Sequence, residues 1–316
     1  MLFAARSKGR ALDAGDSLTH RLQNAVGRDN VFEQEPLCRH TTFQIGGPAQ
    51  WLVLPCEEPE IVAINALCRE TSTPLHVLGL GSNVLAADEG VRGVVLKLAE
   101  RFAGVALEDE GRITAQAGAS NDAIAAAACD AGLTGFEFAA DIPGTIGGAA
   151  IMNAGAYGGQ LSDVAEWMRC LTPDGRIIKL SAEEACWGYR KSSMMEKGCI
   201  VLAVGLRLTP DDPANIRERM DGLRQRRKAK QPLDMPSAGS TFKRPEGHYA
   251  GQLIQDAGMQ GHRVGGAQVS PKHAGFVVNC GDATAADVRQ VIADVQHAVR
   301  ARTGVTLEPE VHQWGF

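Results

Sequence analysis

Ser240 stands between Gly239 and Thr241 in a proline-bounded loop, with Lys243 and Arg244 just beyond it. As a nucleophile it lacks the G-x-S-x-G surround of a hydrolase elbow, since position 238 is Ala and position 242 is Phe. Donation of a proton or a hydrogen bond beside two cations remains, next to the plain alternative of a turn-forming serine. Glu310 lies between Pro309 and Val311. In a pocket, burial would raise its pKa and let it act as an acid, whereas an adjacent arginine would keep it charged. On the surface it would be an ordinary paired carboxylate. Arg190, preceded by Tyr189, carries the planar fork that clamps a carboxylate through two hydrogen bonds, or is a surface arginine. The eight histidines show no metal-ligand spacing, and the cysteines at 38, 56, 68, 129, 170, 186, 199 and 280 form no C-x-x-C pair. No metal site is expected, and the scattered thiols fit a reducing compartment.

A second group of residues offers backbone chemistry. The stretch Asp141–Gly158, DIPGTIGGAAIMNAGAYG, contains Gly144, Gly147, Gly148, Gly155 and Gly158 together with Pro143 and Asn153. It reads as a set of tight turns that bring bare N–H groups close to an anionic group such as a phosphate, or else pack against a neighbouring element. The turn Gly79-Leu80-Gly81-Ser82-Asn83 invites a dinucleotide-fold reading, which fails because no third glycine follows at the right spacing and no long helix begins there. The N–H groups of Gly81, Ser82 and Asn83 can still hold a diphosphate. Two such loops in neighbouring units could face one extended ligand carrying two phosphates.

The elements that must position these groups follow from patterning. At 316 residues the chain exceeds one comfortable core, so two or three domains are expected. A hydrophobic content of 44% describes a globular protein, and a net charge of -5 argues against broad nucleic-acid binding. No apolar span of about 20 residues is present, and the run MLFAARSKGRALDAGDS is too short in apolar residues for a signal peptide; a soluble cytoplasmic protein is expected. Residues 1–34 read as a poorly fixed extension with one short helix, Leu18–Val26. Strands are predicted at Ala49–Leu54, Leu75–Leu78 and Val94–Leu98, with a helix over Glu57–Glu70 between the first two. A second unit has a strand at Arg112–Ala117 and an Asn-capped helix at Asn121–Ala131. It continues with a hairpin of Met168–Thr172 and Arg176–Leu180, then a strand at Cys199–Leu208. A basic helix, Ala214–Lys230, follows Asp212-Pro213 and reads mostly as a solvated face. The third region holds a helical stretch at Tyr249–Ala257 and a long helix, Ala286–Arg302, with Val288, Val291, Ile292, Val295 and Val299 on one stripe. A final strand, Val305–Val311, would place Glu308 and Glu310 on one face and return the tail to an earlier unit.

Five segments in this order, GLGSN at 79–83, IPGTIGGAAIMNAGAYG at 142–158, GYRKS at 188–192, AGSTFKRP at 238–245 and LEPEV at 307–311, resemble those of the UDP-N-acetylenolpyruvoylglucosamine reductase family. The likeness covers about 38–312, and the short connection between Leu208 and the basic helix resembles the family's shorter branch, which lacks a tyrosine-bearing insertion. The resemblance implies an α+β chain with an FAD-binding fold of the vanillyl-alcohol-oxidase (PCMH) type. Two α/β subdomains at 35–98 and 99–221 would surround FAD, and a third α+β domain at 222–305 would take substrate. Residues 1–34 would form an N-terminal extension, and the tail at 306–316 would return to the FAD region.

It further implies that NADPH reduces FAD, and that UDP-N-acetylglucosamine enolpyruvate then accepts hydride at C3 and a proton at C2, giving UDP-N-acetylmuramate for peptidoglycan. By motif, Ser240 would give the proton while Arg190 and a protonated Glu310 flank the substrate carboxylate. Tyr189, Tyr157, Lys230, Arg244 and His273 would touch substrate, Lys230 at the diphosphate. Gly79, Gly81, Ser82, Asn83, Val84, Gly118, Pro143, Gly144, Gly147, Gly148, Asn153, Gly155 and Ala156 would hold the flavin. The sequence departs from the family pattern at Arg244, where some relatives have Asn, at His273, where a glutamine is usual, and at His312, where an arginine is common. Another flavin-dependent oxidoreductase or oxidase of the same fold is the alternative; it would consume oxygen without needing a UDP-sugar. No nucleic acid, membrane or metal partner is expected.

Overall fold

A computed structural model describes residues 17–316. The first element is α1 (Leu18–Val26), as expected, with the Ser17 hydroxyl accepting from the His20 N–H. Its Leu22 and Val26 are buried, and it is followed by β1 (Val31–Pro36), which pairs antiparallel with β2 (Pro48–Val53). The extension expected over 1–34 is therefore ordered structure from residue 17 onward, anchored by apolar burial and a strand ladder; its first 16 residues lie outside the described residues. Next come α2 (Glu58–Glu70), opened by a Glu57/Glu60 capping box, then β3 (Leu75–Leu78), β4 (Val84–Ala86) and β5 (Val91–Lys97). The first sheet has the order β1-β2-β5-β3, with β5 parallel to both β2 and β3.

The second unit contains β6 (Val105–Glu108), β7 (Arg112–Gln116), α3 (Asn121–Asp130), the two-residue β8 (Leu133–Thr134), α4 (Ile146–Met152) and the short pair β9 (Gly155–Ala156) and β10 (Gly159–Gln160). It continues through β11 (Ala165–Leu171), β12 (Ile177–Ser181), α5 (Ser193–Glu196), β13 (Ile200–Arg207) and β14 (Thr209–Pro210), with a sheet order of β12-β11-β13-β7-β6. The cap of α3 is Ser120, which accepts from the Ala123 N–H, and Asn121 is instead the first helical residue. The glycine run is not all turn, because α4 occupies its middle. Its poor helix formers are held by the Thr145 cap and by burial of Ile146, Ala149 and Ala150 against β13.

The basic helix α6 (Pro213–Lys230) is capped by Asp212. Beyond it lie β15 (Ser237–Ser240), α7 (Ala250–Asp256), β16 (Arg263–Val264), β17 (Ala267–Val269), β18 (Phe276–Asn279), α8 (Ala285–Thr303) and β19 (His312–Trp314). The third sheet has the order β15-β18-β17-β16, and the valine stripe of α8 packs under it. No strand forms over 305–311. There the chain makes only a bridge between Pro309 and Phe242, since proline cannot extend a ladder, and the strand proper begins at His312. β19 runs parallel to β4, so the tail does return to the first unit.

The third unit is fixed to the first by specific bonds. Asp88 accepts from the Ala285 and Ala286 N–H groups at 2.7 and 3.0 Å, a carboxylate at the positive end of α8. Asn279 donates to the Phe43 carbonyl at 3.1 Å, and Thr42 donates to the Ser237 carbonyl at 2.7 Å. Phe43, Ile45 and Leu85 of the first unit are buried in the same core as α8. These contacts hold β15 beside the turn that ends β3.

Candidate active site

One cleft of about 1450 Å³ is lined from all three units. Its volume exceeds the usual range of about 300–1,000 Å³ for a site holding one drug-sized ligand. Gly79, Gly81, Ser82, Asn83 and Val84 line one wall, and Pro143, Gly144, Gly147, Gly148, Gly155 and Ala156 line another. In the first wall the N–H groups of Gly81, Ser82 and Asn83 donate to no acceptor among the described residues. Gly81 has φ +66°, and an added Cβ would come within 2.4 Å of the His40 carbonyl oxygen; only glycine makes this turn without displacing backbone. Gly148 differs. A Cβ there would meet nothing nearer than Thr145 Oγ1 at 3.7 Å, so its bare face is open to the cleft.

Two residues expected at the flavin are occupied elsewhere. The Gly118 N–H donates to the Phe102 carbonyl at 2.9 Å, and a Cβ there would lie 2.4 Å from both the Ala99 and Phe102 oxygens. It is a packing glycine outside the cleft lining. Asn153 ends α4 in the left-handed conformation. Its Oδ1 accepts from the Ser162 N–H and its Nδ2 donates to Gln160 and to the Gly188 carbonyl, so the side chain ties loops together.

The three candidates for catalysis come together at the other end. Glu310 donates its N–H to the Thr241 carbonyl at 2.8 Å, Lys243 donates its N–H to the Glu308 carbonyl at 2.9 Å, and Thr241 donates its N–H to the Gly275 carbonyl at 2.9 Å. This short pairing sets Glu310 beside Thr241, one residue along the chain from Ser240. Arg190, itself at φ +56°, brings Nε within 2.5 Å of Glu310 Oε1. The side chains of Arg190 and Glu310 are only 20% and 10% exposed, whereas Glu308 points outward at 72% toward Lys243. The two glutamates therefore have opposite surroundings. Burial pushes the Glu310 carboxyl above its ordinary range, and the nearby Arg190 and Lys243 offset only part of that rise. Ser240, Arg190, Glu310 and His312 all line the cleft. His312, where an arginine is common in the resembling family, has Nε2 at 3.3 Å from Met152 Sδ.

The expected substrate contacts stand beside the cleft rather than in its walls. The Tyr189 hydroxyl accepts from the Arg244 N–H at 3.0 Å, and Arg244 stacks over Tyr249 at 4.1 Å. Tyr157 lies under Arg227 at 5.4 Å, and Lys230 is exposed at the end of α6. His273 is turned into its own loop, its Nδ1 accepting from the Gly275 N–H at 3.1 Å and its ring edge-on to Phe276. Burial, with the Lys230 charge adding, holds its imidazole below the ordinary value.

Sequence reasoning passed over Arg227. Arg227 belongs to the charge run of α6, yet it is 5% exposed, lines the cleft, and has Nε and Nη2 without partners among the described residues. A signal was present. Ile216, Met220 and Arg227 share the buried face of α6, so the arginine continues an apolar stripe. Three other arginines of α6 are paired: Arg217 with Asp130, Arg219 with Glu137 and Asp211, and Arg224 with Asp141.

Residues 49–181 match a family model described as an FAD binding domain, and residues 231–314 match the UDP-N-acetylenolpyruvoylglucosamine reductase C-terminal domain. The UDP-N-acetylenolpyruvoylglucosamine reductase of Lachnoclostridium phytofermentans is 48% identical over 301 residues, covering 94% of this chain and 97% of its own. The chain belongs to the UDP-N-acetylenolpyruvoylglucosamine reductase family. The Clostridioides difficile member is 45% identical over 290 residues, spanning 92% of this chain and 95% of its own. The crystal structure of the Thermus caldophilus reductase superposes with a TM-score of 0.77 at 36% identity, over 89% of this chain and 98% of that one. The reductase family's FAD-binding fold is thus the fold found here. The cleft also fits FAD on its own chemistry. It offers free N–H groups at 81–83 for phosphate oxygens and a bare glycine face at 148. All the buried side-chain atoms left without a partner among the described residues, on Asn65, Asn121 and Arg227, belong to residues that line it.

Proposed function

We propose that this chain is the NADPH-dependent reductase that converts UDP-N-acetylglucosamine enolpyruvate to UDP-N-acetylmuramate in the cytoplasm, for peptidoglycan precursor synthesis. The observation that carries the reading is the buried Arg190–Glu310 contact in the cleft, with Ser240 one backbone pairing away. FAD, when bound, would supply the redox chemistry, carrying hydride equivalents from NADPH to the enol ether. Gly79–Val84, Pro143, Gly144, Gly147, Gly148, Gly155 and Ala156 would hold it, between the subdomains at 35–98 and 99–221. Arg190 clamps the enolpyruvyl carboxylate, where negative charge grows as C3 is reduced, and fixed positive charge aimed there stabilises the transition state. A second anion at Arg190 pushes the Glu310 carboxyl higher still, so that it holds its proton and donates to the other carboxylate oxygen. Ser240 passes its hydroxyl proton to C2. A serine is a weak acid, and it serves because the enolate is strongly basic and held within reach. Tyr157, Tyr189, Lys230 and Arg244 hold the UDP end at the mouth of the 222–305 domain, with Arg227 as a further cation for the diphosphate.

The test separates the two halves of the reaction. Ser240→Ala is expected to leave flavin bleaching by NADPH at the wild-type rate. It slows recolouring by the enolpyruvyl substrate by about 10²–10⁴-fold, the usual worth of a general acid. Stopped-flow absorbance reads both steps, and equal slowing of the two would remove Ser240 from the proton-donor role.

A further inference from the structure

The buried face of α2 is made of Ile61, Ile64, Asn65 and Cys68, three apolar side chains and one amide. Asn65 is 5% exposed, its Nδ2 has no partner among the described residues, and it lines the cleft. A buried amide left unbonded costs free energy, so an asparagine at this position calls for an absent partner. We propose that Asn65 reads the adenine ring of FAD. The proposal rests on the cleft being the FAD site.

Position and chemistry both point this way. The reacting ring must meet Ser240 and Arg190, and the free N–H groups at 81–83 mark the diphosphate, so the adenosine end lies on the far side of that turn. There, one short strand back along β3 from Gly79 to Leu75, the cleft is lined by Cys68, Leu75, Cys199 and Ile200, with Asn65 the amide among them. The tip of the β11–β12 hairpin closes it. Arg69 of α2 donates to the Asp174 carbonyl at 2.6 Å, and a Cβ on Gly175 would stand 3.9 Å from Asn65 Nδ2. Apolar side chains to stack on, with one buried amide among them, suit a purine. The amide offers one donor and one acceptor, the complement of the adenine N6 amine and its neighbouring ring nitrogen, whichever way the amide is turned.

The experiment compares full-length wild-type holoenzyme with Asn65→Leu, and FAD with an analogue whose base is unsubstituted purine, lacking the N6 amine. Release of flavin on dilution is followed by the rise in flavin fluorescence. Asn65→Leu is expected to release FAD about tenfold faster, as is the wild type loaded with the purine analogue, the scale of a lost bidentate contact to a base. On Asn65→Leu the two flavins should be indistinguishable, and KM for the UDP-sugar should not change. Because the analogue is tested on unaltered protein, a variant that folds poorly does not rescue the idea. Equal retention of FAD and the analogue by wild type would overturn the assignment while leaving the cleft as the flavin site. So would a variant that keeps FAD but shows a raised KM for the UDP-sugar, which moves Asn65 to uracil. A wild type that retains neither flavin would remove the site reading itself and the assignment with it.

Discussion

The two ends of the cleft are built by different means. The wall at 79–84 and 143–148 presents backbone: free N–H groups, a left-handed Gly81, and glycine faces that a Cβ would fill. The end at Ser240, Arg190 and Glu310 presents side chains, drawn from three separate segments and joined by one buried Arg190–Glu310 hydrogen bond and a short run of backbone pairing. The backbone wall tolerates few residue types but little depends on any one side-chain functional group. At the side-chain end a single atom's removal should abolish a step while the fold survives. Shape belongs to one end and charge to the other.

The largest effect should follow from removing charge. Arg190→Met removes the hydrogen-bond partner of the buried Glu310 carboxyl, which then holds its proton more firmly, and a buried polar group left without its partner costs about 1–3 kcal/mol. The carboxylate clamp is lost as well, and removal of one transition-state donor slows turnover by about 10²–10³-fold. Steady-state kinetics and thermal unfolding read the two parts. If flavin absorbance is retained while the recolouring step alone collapses, the division between the two ends stands. If flavin is lost instead, the arginine belongs to the backbone wall's task.

Within the backbone wall, two glycines should answer the same substitution with opposite signs. Gly81→Ala puts a Cβ at 2.4 Å from the His40 oxygen and 2.7 Å from Thr41 Cα at φ +66°. Left-handed strain and the displaced backbone together cost about 3 kcal/mol, lowering Tm by roughly 6–12 °C. Gly148→Ala lies inside α4 with open space before it, so the helix gains about 0.5–1 kcal/mol and the flavin-free protein melts slightly higher. Its methyl nevertheless enters the cleft and should weaken flavin binding. Differential scanning of flavin-free protein, with flavin titration alongside, reads both. A fall in Tm for Gly148→Ala would mean that this glycine serves packing like Gly118.

The same contrast explains what could be read in advance. β3 was placed to the residue and α1 in its right place because apolar residues and flanking turn residues agree there. The backbone wall was legible because glycine clusters are a local signal. α4 was not, since two glycines mask a helix whose stability comes from burial against β13, a contact remote in sequence. The final strand was placed too early because Leu307, Pro309 and Val311 alternate with glutamates. The alternation reflects a crossing between two units and not a ladder. Ser240, Arg190 and Glu310 have no local signature of joint action; resemblance named them, and only the fold joins them. Arg227 and Asn65 went unread for one reason: each is a polar residue on a buried helical stripe, and the pattern discounts what interrupts it.

The smallest expected effect concerns the proton on Glu310. Its carboxyl lies above the ordinary range because burial outweighs the pull of Arg190. A raised carboxyl pKa favours the folded state fully at pH below the unfolded-chain value, and that contribution is lost as pH rises through the folded value. Glu310→Gln does not titrate. It also leaves Arg190 without its partner, but that cost does not vary with pH over this range and drops out of a slope. The expected result is therefore a Tm for wild type, relative to Glu310→Gln, that declines as pH rises from the ordinary carboxyl range upward. The amide keeps a donor, so the variant should retain a reduced recolouring rate without the alkaline fall expected of wild type. Were the relative Tm of wild type to climb with pH instead, Arg190 would be holding Glu310 ionised. The charged end of the cleft would then be a fixed ion pair and not a clamp beside a proton donor.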